Sequence, residues 1–490
     1  AVADVSNRTD GRRSRSAGPA RPTSSARGGD PSPWVGLQGR ARQFLDTPQL
    51  DYRVLMTATV ALVVIGLIMA LSSSMVSSVE DGGGVFSSFM KQAVLVVAGL
   101  VAMRFAMRLT PTTIRRYSPW LLGIAVVALL LVLTPFGTGG NEVGSKSWIR
   151  IGPIGIQPSE IAKMALAVWG SASVAVHARR ERTFFRGLGP FLCVAGFILV
   201  LVLAQNDLGM MLSVGLVVFA MLYFGGSSWK VLVGGAAAGA VVAAGFTLTH
   251  SFRGARFSTW VDAVTLSFSD ATSQGDAYQA KQGILSLASG GFTGEGLGQS
   301  RAKWSYLPES TNDFVFAILG EELGWIGAGL VVVLFGVLGW FGIRTAVRQS
   351  DPFLRLMAAT LTIGIVFQAM FNIGYVIGLL PVTGVQLPLI SSGGTSAIIT
   401  LASLGLLMTC ARHEPEAISS MQHEGRPLLD RILFLPEPRP YVAGGEQRDR
   451  VRPQPRRYGD PVTRRAEHRT TARSTPPRST SSSTYRSRRR

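Results

Sequence analysis

Apolar runs long enough to cross a bilayer recur along this chain, and they restrict its fold more than any other feature. A membrane-spanning helix needs about 20 apolar residues and satisfies its own backbone polar groups. Of the 490 residues, 47% are hydrophobic and only 16% are charged, which is not the composition of an ordinary soluble protein. We therefore predict an all-α polytopic membrane protein with about ten transmembrane helices. The predicted helices span 54–76, 86–107, 119–135, 158–177, 187–204, 208–225, 230–249, 312–343, 354–377 and 395–412.

The distribution of arginine predicts the orientation of these helices. The links after the second, fourth and eighth helices are rich in arginine, whereas the links after the first, fifth and ninth contain none. Cytoplasmic links carry the excess of basic residues in membrane proteins. Both termini and the arginine-rich links are therefore expected in the cytoplasm. The 136–159 connector and the large 250–311 loop, between the seventh and eighth helices, then face outward.

The two ends of the chain differ in composition from its middle. Residues 1–46 and 413–490 are rich in Arg, Ser and Pro and hold much of the net charge of +19, so we expect two disordered cytoplasmic tails around a transmembrane domain at 47–412. A polybasic segment beside a membrane more often meets anionic lipids or acidic proteins than nucleic acid. The first apolar run starts only near residue 53, which predicts no cleavable signal peptide.

The stretch 294–327 contains the most unusual residues of the chain, because three carboxylates accompany an apolar helix. Asp313 lies where a polar loop meets that helix, and Glu321 and Glu322 lie within it. Carboxylates in a membrane helix are costly and usually face a protein interior or a wet cavity. Asp313 therefore suits a partly desolvated catalytic carboxylate, or it caps the helix. Glu321 either binds substrate or, together with Glu322, anchors the structure.

Three basic side chains, Lys163, Arg253 and Arg256, are candidates for binding phosphate, and Glu160 is expected to hold Lys163. Glu160 and Lys163 are three residues apart at a helix start, so they share a face. They form either an ion pair that seats the helix or a site where Lys163 meets a phosphate group. Arg253 and Arg256 lie just beyond the seventh helix, where they serve either as interface anchors or as ligands of a diphosphate.

Two further stretches are expected near the same site. Apolar residues at helical spacing predict a short amphipathic helix at 278–289, which begins with Tyr278 and includes Gln282. Proline and glycine interrupt the apolar run at 372–396, and broken backbone at membrane depth must be buried in protein or line a cavity. Ser391 in this stretch either binds a ligand or satisfies the freed backbone groups.

The motifs of the chain resemble those of the SEDS family (shape, elongation, division and sporulation). The resemblance begins with GEGLGQS followed by KWSYLPESTNDFVFAILGEELG. GSKSWIRIGPIGIQPSEIAK, QNDLGM, YQAKQG and LLPVTGVQLPLISSGGTS match further blocks of the family in the expected order. The blocks extend over 54–412 and leave out the tails. The GEGLGQS and YLPE motifs and the long basic tails resemble those of the actinobacterial division branch, FtsW, more than those of the elongation branch, RodA.

The resemblance implies a peptidoglycan glycosyltransferase that polymerises lipid II during cell division, in the plasma membrane at the septum. It implies a class B penicillin-binding protein as transpeptidase partner, and other division proteins that meet the cytoplasmic tails. The catalytic carboxylate of the family falls on Asp313, and two residues of its cavity fall on Glu160 and Lys163. The usual His-Thr before the catalytic carboxylate is Thr311-Asn312 here. Further candidates for substrate binding are Ser300, Glu309, Glu321 and Ser391.

These assignments predict an inverting mechanism. Asp313 acts as the general base that takes the proton of the acceptor 4-hydroxyl, and the resulting oxygen displaces undecaprenyl diphosphate from the donor. The charge of the leaving diphosphate is stabilised by Lys163, by Arg253 and Arg256, or by a divalent cation such as Mg²⁺ or Mn²⁺. Two alternatives stay open: a flippase that moves lipid II across the bilayer, and a scaffold that recruits division proteins through its tails.

Overall fold

Helices dominate the described part of the chain, as the apolar runs predict. The computed structural model describes residues 47–80, 86–139, 145–152, 154–180, 184–249, 260–261, 276–303 and 312–440. The helices are α1 (Leu50–Glu80), α2 (Ser87–Arg108), α3 (Pro111–Leu133), α4 (Pro158–Arg180), α5 (Phe184–Ala204), α6 (Leu208–Phe224), α7 (Trp229–Thr249), α8 (Asp276–Ser289), α9 (Val315–Arg348), α10 (Pro352–Val376), α11 (Thr395–Arg412), α12 (Pro415–Glu424) and α13 (Leu428–Ile432). Three short strands are β1 (Gly137–Thr138), β2 (Trp148–Ile151) and β3 (Ile154–Ile156).

The predicted all-α polytopic architecture is confirmed, and the chain is an integral membrane protein. Within the described residues, 8 helices are long and apolar enough to cross a membrane: α1, α2, α3, α5, α7, α9, α10 and α11. α6 is apolar but has only 17 residues, and α4 carries the charges of Glu160 and Lys163. Each predicted run coincides with one of these helices, while ten spans and their orientation stay predictions.

The predicted start of the third transmembrane helix at residue 119 is wrong. α3 begins at Pro111, and Pro119 lies inside it. The Thr110 side chain caps the helix by accepting a hydrogen bond from Thr113 N at 3.3 Å. A capping threonine followed by proline at the first helical position is a strong start signal, and it precedes the apolar part of the helix.

The 136–159 connector forms a small antiparallel sheet with the strand order β1-β2-β3, which the sequence did not predict. Thr138 pairs with Trp148, and Arg150 pairs with Gly155. Thr395 Oγ1 donates a hydrogen bond to Gly155 O at 2.9 Å. The sheet therefore contacts the first residue of α11.

α10 and α11 form the centre of the helix bundle. α10 packs against α4, α6, α9 and α11, and α11 lies along α2. The close approach of α11 to α2 requires a small residue at Gly405, where a Cβ atom would lie 2.5 Å from Met103 O. Because α10 contacts so many neighbours, its few polar side chains can join several elements at once.

The prediction of a disordered tail from residue 413 onward is wrong for its first part. Residues 415–424 form α12, and 428–432 form α13. α12 buries Ala417, Ile418 and Met421, which recur at helical spacing within a charged stretch. Residues 1–46 and 441–490 lie outside the described residues, so the disorder predicted for them stays a prediction.

Candidate functional site

The chain between α10 and α11, which we call the 377–394 segment, crosses the interior of the protein without forming a helix. Its residues from Val385 to Ser391 are all buried, as expected for broken backbone at membrane depth, while residues 377–384 are half-buried or exposed. Side chains of α10 satisfy its carbonyl groups. Asn372 Nδ2 and Tyr375 Oη each lie 2.8 Å from Val385 O, and Gln368 Nε2 donates to Gln386 O at 3.2 Å.

The same α10 side chains fix the backbone of Asp313. Its carbonyl oxygen lies 2.9 Å from Asn372 Nδ2 and 3.0 Å from Tyr375 Oη. The preceding carbonyl, of Asn312, accepts a hydrogen bond from Ser391 Oγ at 2.6 Å. Residues 312–313 are thus joined to both α10 and the 377–394 segment, immediately before α9.

The carboxylate of Asp313 is half-buried and lies beside Gly384. A Cβ atom at Gly384 would lie 3.4 Å from Asp313 Oδ2, and Gly384 has a φ of +74°, which favours glycine. The N-cap position of α9 is occupied by Phe314 rather than Asp313, and Phe314 packs edge to face on Tyr375 with ring centroids 5.9 Å apart. This geometry suits a carboxylate placed for chemistry better than the capping role that the sequence left open.

A second polar layer joins α4 to α10. Lys163 Nζ lies 2.8 Å from Glu160 Oε2 and donates to Gln368 Oε1, and Gln368 Nε2 donates to Glu160 Oε1 at 2.9 Å. The three side chains are buried, with exposed fractions of 2% for Glu160, 8% for Lys163 and 1% for Gln368. The ion pair that the sequence offered as one interpretation of Glu160 and Lys163 is present.

The two layers are adjacent. Gln368 and Asn372 are four residues apart on α10, which is about 6 Å along the helix axis. They donate to the consecutive carbonyls of Gln386 and Val385. An ammonium group carries three donatable hydrogens, and two of those on Lys163 serve Glu160 and Gln368. One hydrogen remains for a ligand, one helical turn from the layer that holds Asp313.

Glu321 does not belong to either layer. Its carboxylate accepts hydrogen bonds from Ser300 Oγ at 2.6 Å and from Arg301 N at 2.9 Å. The predicted substrate-binding residues Glu321 and Ser300 therefore bind each other. The neighbouring Glu322 lies 3.2 Å from Lys303 Nζ and 2.6 Å from Ser72 Oγ of α1. Both glutamates are buried, and these contacts support the alternative in which they anchor the structure.

The loop at 290–303 inserts its backbone into a break in α9. Gly324 has a φ of 66° and interrupts the helix. Glu295 N and Gly296 N donate to the freed carbonyls of residues 321 and 322, at 2.9 and 3.1 Å. In return, Trp325 N and Ile326 N donate to Gly291 O and Phe292 O. Glu321 and Glu322 thus fasten a loop that replaces part of the hydrogen bonding of the helix.

The remaining predicted site residues are distributed as follows. Tyr278 and Gln282 are half-buried on α8, so the helix predicted at 278–289 is present and packs against α9 and α10. Ser391 Oγ accepts a hydrogen bond from Leu387 N at 2.9 Å and donates one to Asn312 O. These contacts favour the interpretation in which Ser391 satisfies backbone groups over the one in which it binds a ligand. Arg253, Arg256 and Glu309 lie outside the described residues.

Four residues of the site were not predicted from the sequence: Gln368, Asn372, Tyr375 and Gln386. Gln368 and Asn372 are polar residues four apart in an otherwise apolar helix, and this spacing is the signal that would have identified them. Tyr375 and Gln386 carry no such signal, because their role depends on the path of the 377–394 segment.

The described residues contain no group of three His, Cys, Asp or Glu side chains that could hold a metal ion. A cation site built from protein ligands alone needs such a group. Mg²⁺ is usually held by one or two carboxylates together with substrate phosphates, so the single carboxylate of Asp313 would need the diphosphate of the substrate to complete such a site. The cation stays a prediction, and no step of the mechanism below depends on it.

The chain is similar to known proteins along most of its length. A family model named for FtsW, RodA and SpoVE and described as cell cycle protein matches residues 53–416. The probable peptidoglycan glycosyltransferase FtsW of Mycobacterium tuberculosis is 38% identical over 456 residues, which cover 91% of this chain and 85% of the relative. The stage V sporulation protein E of Bacillus subtilis is 35% identical over 360 residues, which cover 74% of this chain and 96% of the relative.

Two solved structures share the fold. One, from work on the structural coordination of polymerization and crosslinking by a peptidoglycan synthase complex, matches with a TM-score of 0.58 and 24% identity, and covers 74% of this chain and 97% of the matched chain. The other is the crystal structure of the rod shape determining protein RodA of Thermus thermophilus, with a TM-score of 0.53, 23% identity, and coverage of 74% and 96%.

Proposed function

This chain belongs to the FtsW, RodA and SpoVE family of cell cycle proteins, and we propose that it polymerises lipid II into glycan strands on the outer face of the membrane. It is a peptidoglycan glycosyltransferase, the activity for which its FtsW relatives are named. The substrate, the residues and the location of the reaction are the proposed parts.

The observation that carries the proposal is the way Asp313 is held. Its backbone is joined to α10 by Asn372 and Tyr375, while its half-buried side chain lies beside Gly384. A general base must be fixed within hydrogen-bond reach of the proton that it removes. Asp313 takes the proton of the acceptor 4-hydroxyl as that oxygen forms a bond to the anomeric carbon of the donor. The bond from that carbon to the diphosphate breaks, and the diphosphate leaves with the electron pair.

Lys163 is proposed to stabilise the departing diphosphate. Its ammonium group lies one helical turn along α10 from the Asp313 layer and has one hydrogen left for a ligand. Glu160 and Gln368 orient it, and Glu160 compensates its charge before substrate arrives. A preorganised cation where negative charge develops lowers the barrier of such a transfer. Arg253 and Arg256 stay candidates for the same role.

Buried polar atoms along the 377–394 segment support a polar ligand. Thr383 Oγ1, Gln386 Oε1 and Ser392 Oγ are buried and make no hydrogen bond to the described protein. Buried polar atoms in native proteins nearly always have a partner. Sugar hydroxyls and acetamido groups would supply one, so we propose that these atoms face the disaccharide of lipid II.

We propose a class B penicillin-binding protein as partner, because the fold is shared with a chain from a peptidoglycan synthase complex that coordinates polymerization and crosslinking. We also propose a division role at the septum, which the similarity to FtsW of Mycobacterium tuberculosis along most of the chain supports. The tails are proposed to meet other division proteins and anionic lipids. A transporter is less well supported, because Glu321 and Glu322 are engaged by Ser300 and Lys303.

The proposed function is tested with purified protein, alone and with its transpeptidase partner, incubated with lipid II. We expect glycan strands on a gel from the wild type and from Glu437→Gln, an exposed carboxylate far from the site in sequence. Asp313→Ala is expected to form none. Movement of lipid II across liposomes without any polymer would instead identify a transporter.

A further inference from the structure

The end of α11 carries an ordered element, which we call the C-terminal cap and define as residues 415–440. Arg412 locks it in place: its Nε and Nη2 atoms donate to Asp430 Oδ2 at 3.1 and 2.8 Å. Arg412 also donates to Met107 O at 3.1 Å and to Pro436 O at 2.7 Å. Arg412 and Asp430 are each 1% exposed. The cap is therefore fixed to the ends of two membrane helices, α2 and α11.

The two helices of the cap present opposite kinds of surface. α12 turns apolar residues inward and exposes polar ones, including Ser419, Gln422 and His423. α13 does the reverse, because Asp430 faces inward. Leu428 and Ile432, four residues apart and hence on one face, are 75% and 69% exposed. Large apolar side chains exposed together on one helix face indicate an interaction site with another molecule or a membrane.

Phe434 shows where this apolar surface lies. It is 73% exposed, and its carbonyl oxygen accepts a hydrogen bond from Arg108 Nη2 at 3.0 Å. Arg108 is the last residue of the membrane helix α2, and Phe105, one turn earlier, is 64% exposed on the side that lipid would cover. Phe434 is therefore at the level where α2 leaves the bilayer.

Exposed arginines accompany the apolar surface, and the exposed Glu437 of the cap is already paired with Arg426, whose Nε lies 2.8 Å from Glu437 Oε1. Arg431 and Arg439 are exposed in the cap, and Arg108 is exposed at the end of α2. Apolar residues combined with arginine are typical of elements that lie in the membrane interface, where the apolar groups enter the acyl boundary and the arginines meet anionic headgroups.

We propose that residues 428–434 form a lipid-binding element on the membrane surface. Leu428, Ile432 and Phe434 insert at the boundary of headgroups and acyl chains, and Arg108, Arg431 and Arg439 bind phosphate groups of anionic lipids. The Arg412–Asp430 ion pair keeps this face of α13 towards the bilayer while the polar face of α12 meets water. This element is independent of the glycosyltransferase site.

The test measures the depth of single side chains in the full-length protein. Cys193 and Cys410 are replaced by alanine, and Phe434→Cys is labelled with an environment-sensitive fluorophore. The protein is placed, one copy per disc, in lipid nanodiscs of phosphatidylcholine and phosphatidylglycerol that contain acyl-chain-brominated lipid. We expect brominated lipid to quench the label and aqueous iodide to leave it bright. Ile432→Cys gives a second report if Phe434→Cys unfolds.

Gln422→Cys is the matched control, since it is exposed on the polar face of the same cap. Its label is expected to respond to iodide and not to brominated lipid. If residues 432 and 434 respond as residue 422 does, the apolar surface faces water in isolation and serves a protein partner or a second copy, and the proposal is wrong. Arg431→Gln combined with Arg439→Gln is expected to reduce the quenching gained when phosphatidylglycerol is added to neutral discs. An unchanged gain would remove the anionic lipids from the proposal.

Discussion

Replacement of Asn372 by leucine should disable the enzyme through the backbone of Asp313 rather than through a direct contact with substrate. Asn372 Nδ2 carries two hydrogens and Tyr375 Oη carries one. The three hydrogens form three hydrogen bonds: one to the carbonyl of Asp313, one to the carbonyl of Val385, and one of 2.5 Å between the two side chains. In Asn372→Leu, the single tyrosine hydrogen is left for both carbonyls, those of the half-buried Asp313 and the buried Val385.

One of these carbonyls then loses its hydrogen bond to the α10 side chains, which costs about 1–3 kcal/mol of the free energy of unfolding. If Asp313 responds by moving about 1 Å, the rate of polymerisation falls on the order of 10²-fold, since general-base catalysis depends on geometry. The matched control is Tyr375→Phe. It keeps the ring contact with Phe314 and leaves one asparagine hydrogen for each carbonyl, so a loss of only about 1 kcal/mol is expected.

The two variants are compared by thermal unfolding in detergent and by the initial rate of polymerisation of labelled lipid II. We expect Asn372→Leu to reduce kcat far more than Tyr375→Phe, with little change in KM for either. An Asn372→Leu enzyme with normal kcat, or a Tyr375→Phe enzyme that is the more impaired of the two, would refute the positioning of Asp313 by these hydrogen bonds.

Three further predictions concern other parts of the molecule. Lys163→Met leaves Glu160 as an uncompensated buried charge and should cost about 3–5 kcal/mol of the free energy of unfolding. Adding Glu160→Gln to this variant should restore the melting temperature but not polymerisation. If polymerisation is restored as well, Lys163 and Glu160 form only a structural ion pair. Burial raises the pKa of Glu414 from 4.5 to about 8. The stabilisation that the protonated carboxyl gives below pH 4.5 is therefore lost as the pH rises through about 8. Melting temperatures measured from below pH 4.5 to above pH 8 should fall in the wild type and fall less in Glu414→Gln. Ser300→Ala removes a hydrogen bond to Glu321 and should loosen the 290–303 loop at a cost of about 1 kcal/mol of the free energy of unfolding. We expect faster limited proteolysis of the loop and an unchanged KM for lipid II. A raised KM would instead show that Ser300 binds substrate.

The helices were predictable because a membrane span must be a long apolar helix, and that requirement is visible in the sequence itself. The broken 377–394 segment was predictable for the same reason, since proline and glycine interrupt an apolar run. The C-terminal cap was not predictable, because the apolar residues that it buries are mixed with polar and charged ones. The start of α3 was missed although Thr110 and Pro111 signal it, because the apolar residues of the helix begin further on.

The site was predictable only in part. Asp313, Glu160 and Lys163 stand out as charges beside apolar helices, and the family resemblance assigns them a role. The sequence left open whether Glu321 and Ser300 bind substrate, and the structure shows them bound to each other across 21 residues of chain. Tyr375 and Gln386 could not be found at all, because their partners depend on how the 377–394 segment folds back against α10 and not on local pattern.

The central claim is that the Asp313 carboxylate removes a proton during glycan polymerisation. It is tested most directly by Asp313→Asn, which preserves shape and removes the basic group. We expect polymerisation to fall by about 10²–10⁴-fold while the affinity for lipid II and the melting temperature stay close to those of the wild type. Polymerisation at the wild-type rate would contradict the claim, and so would a variant whose loss of activity is explained entirely by loss of lipid II binding.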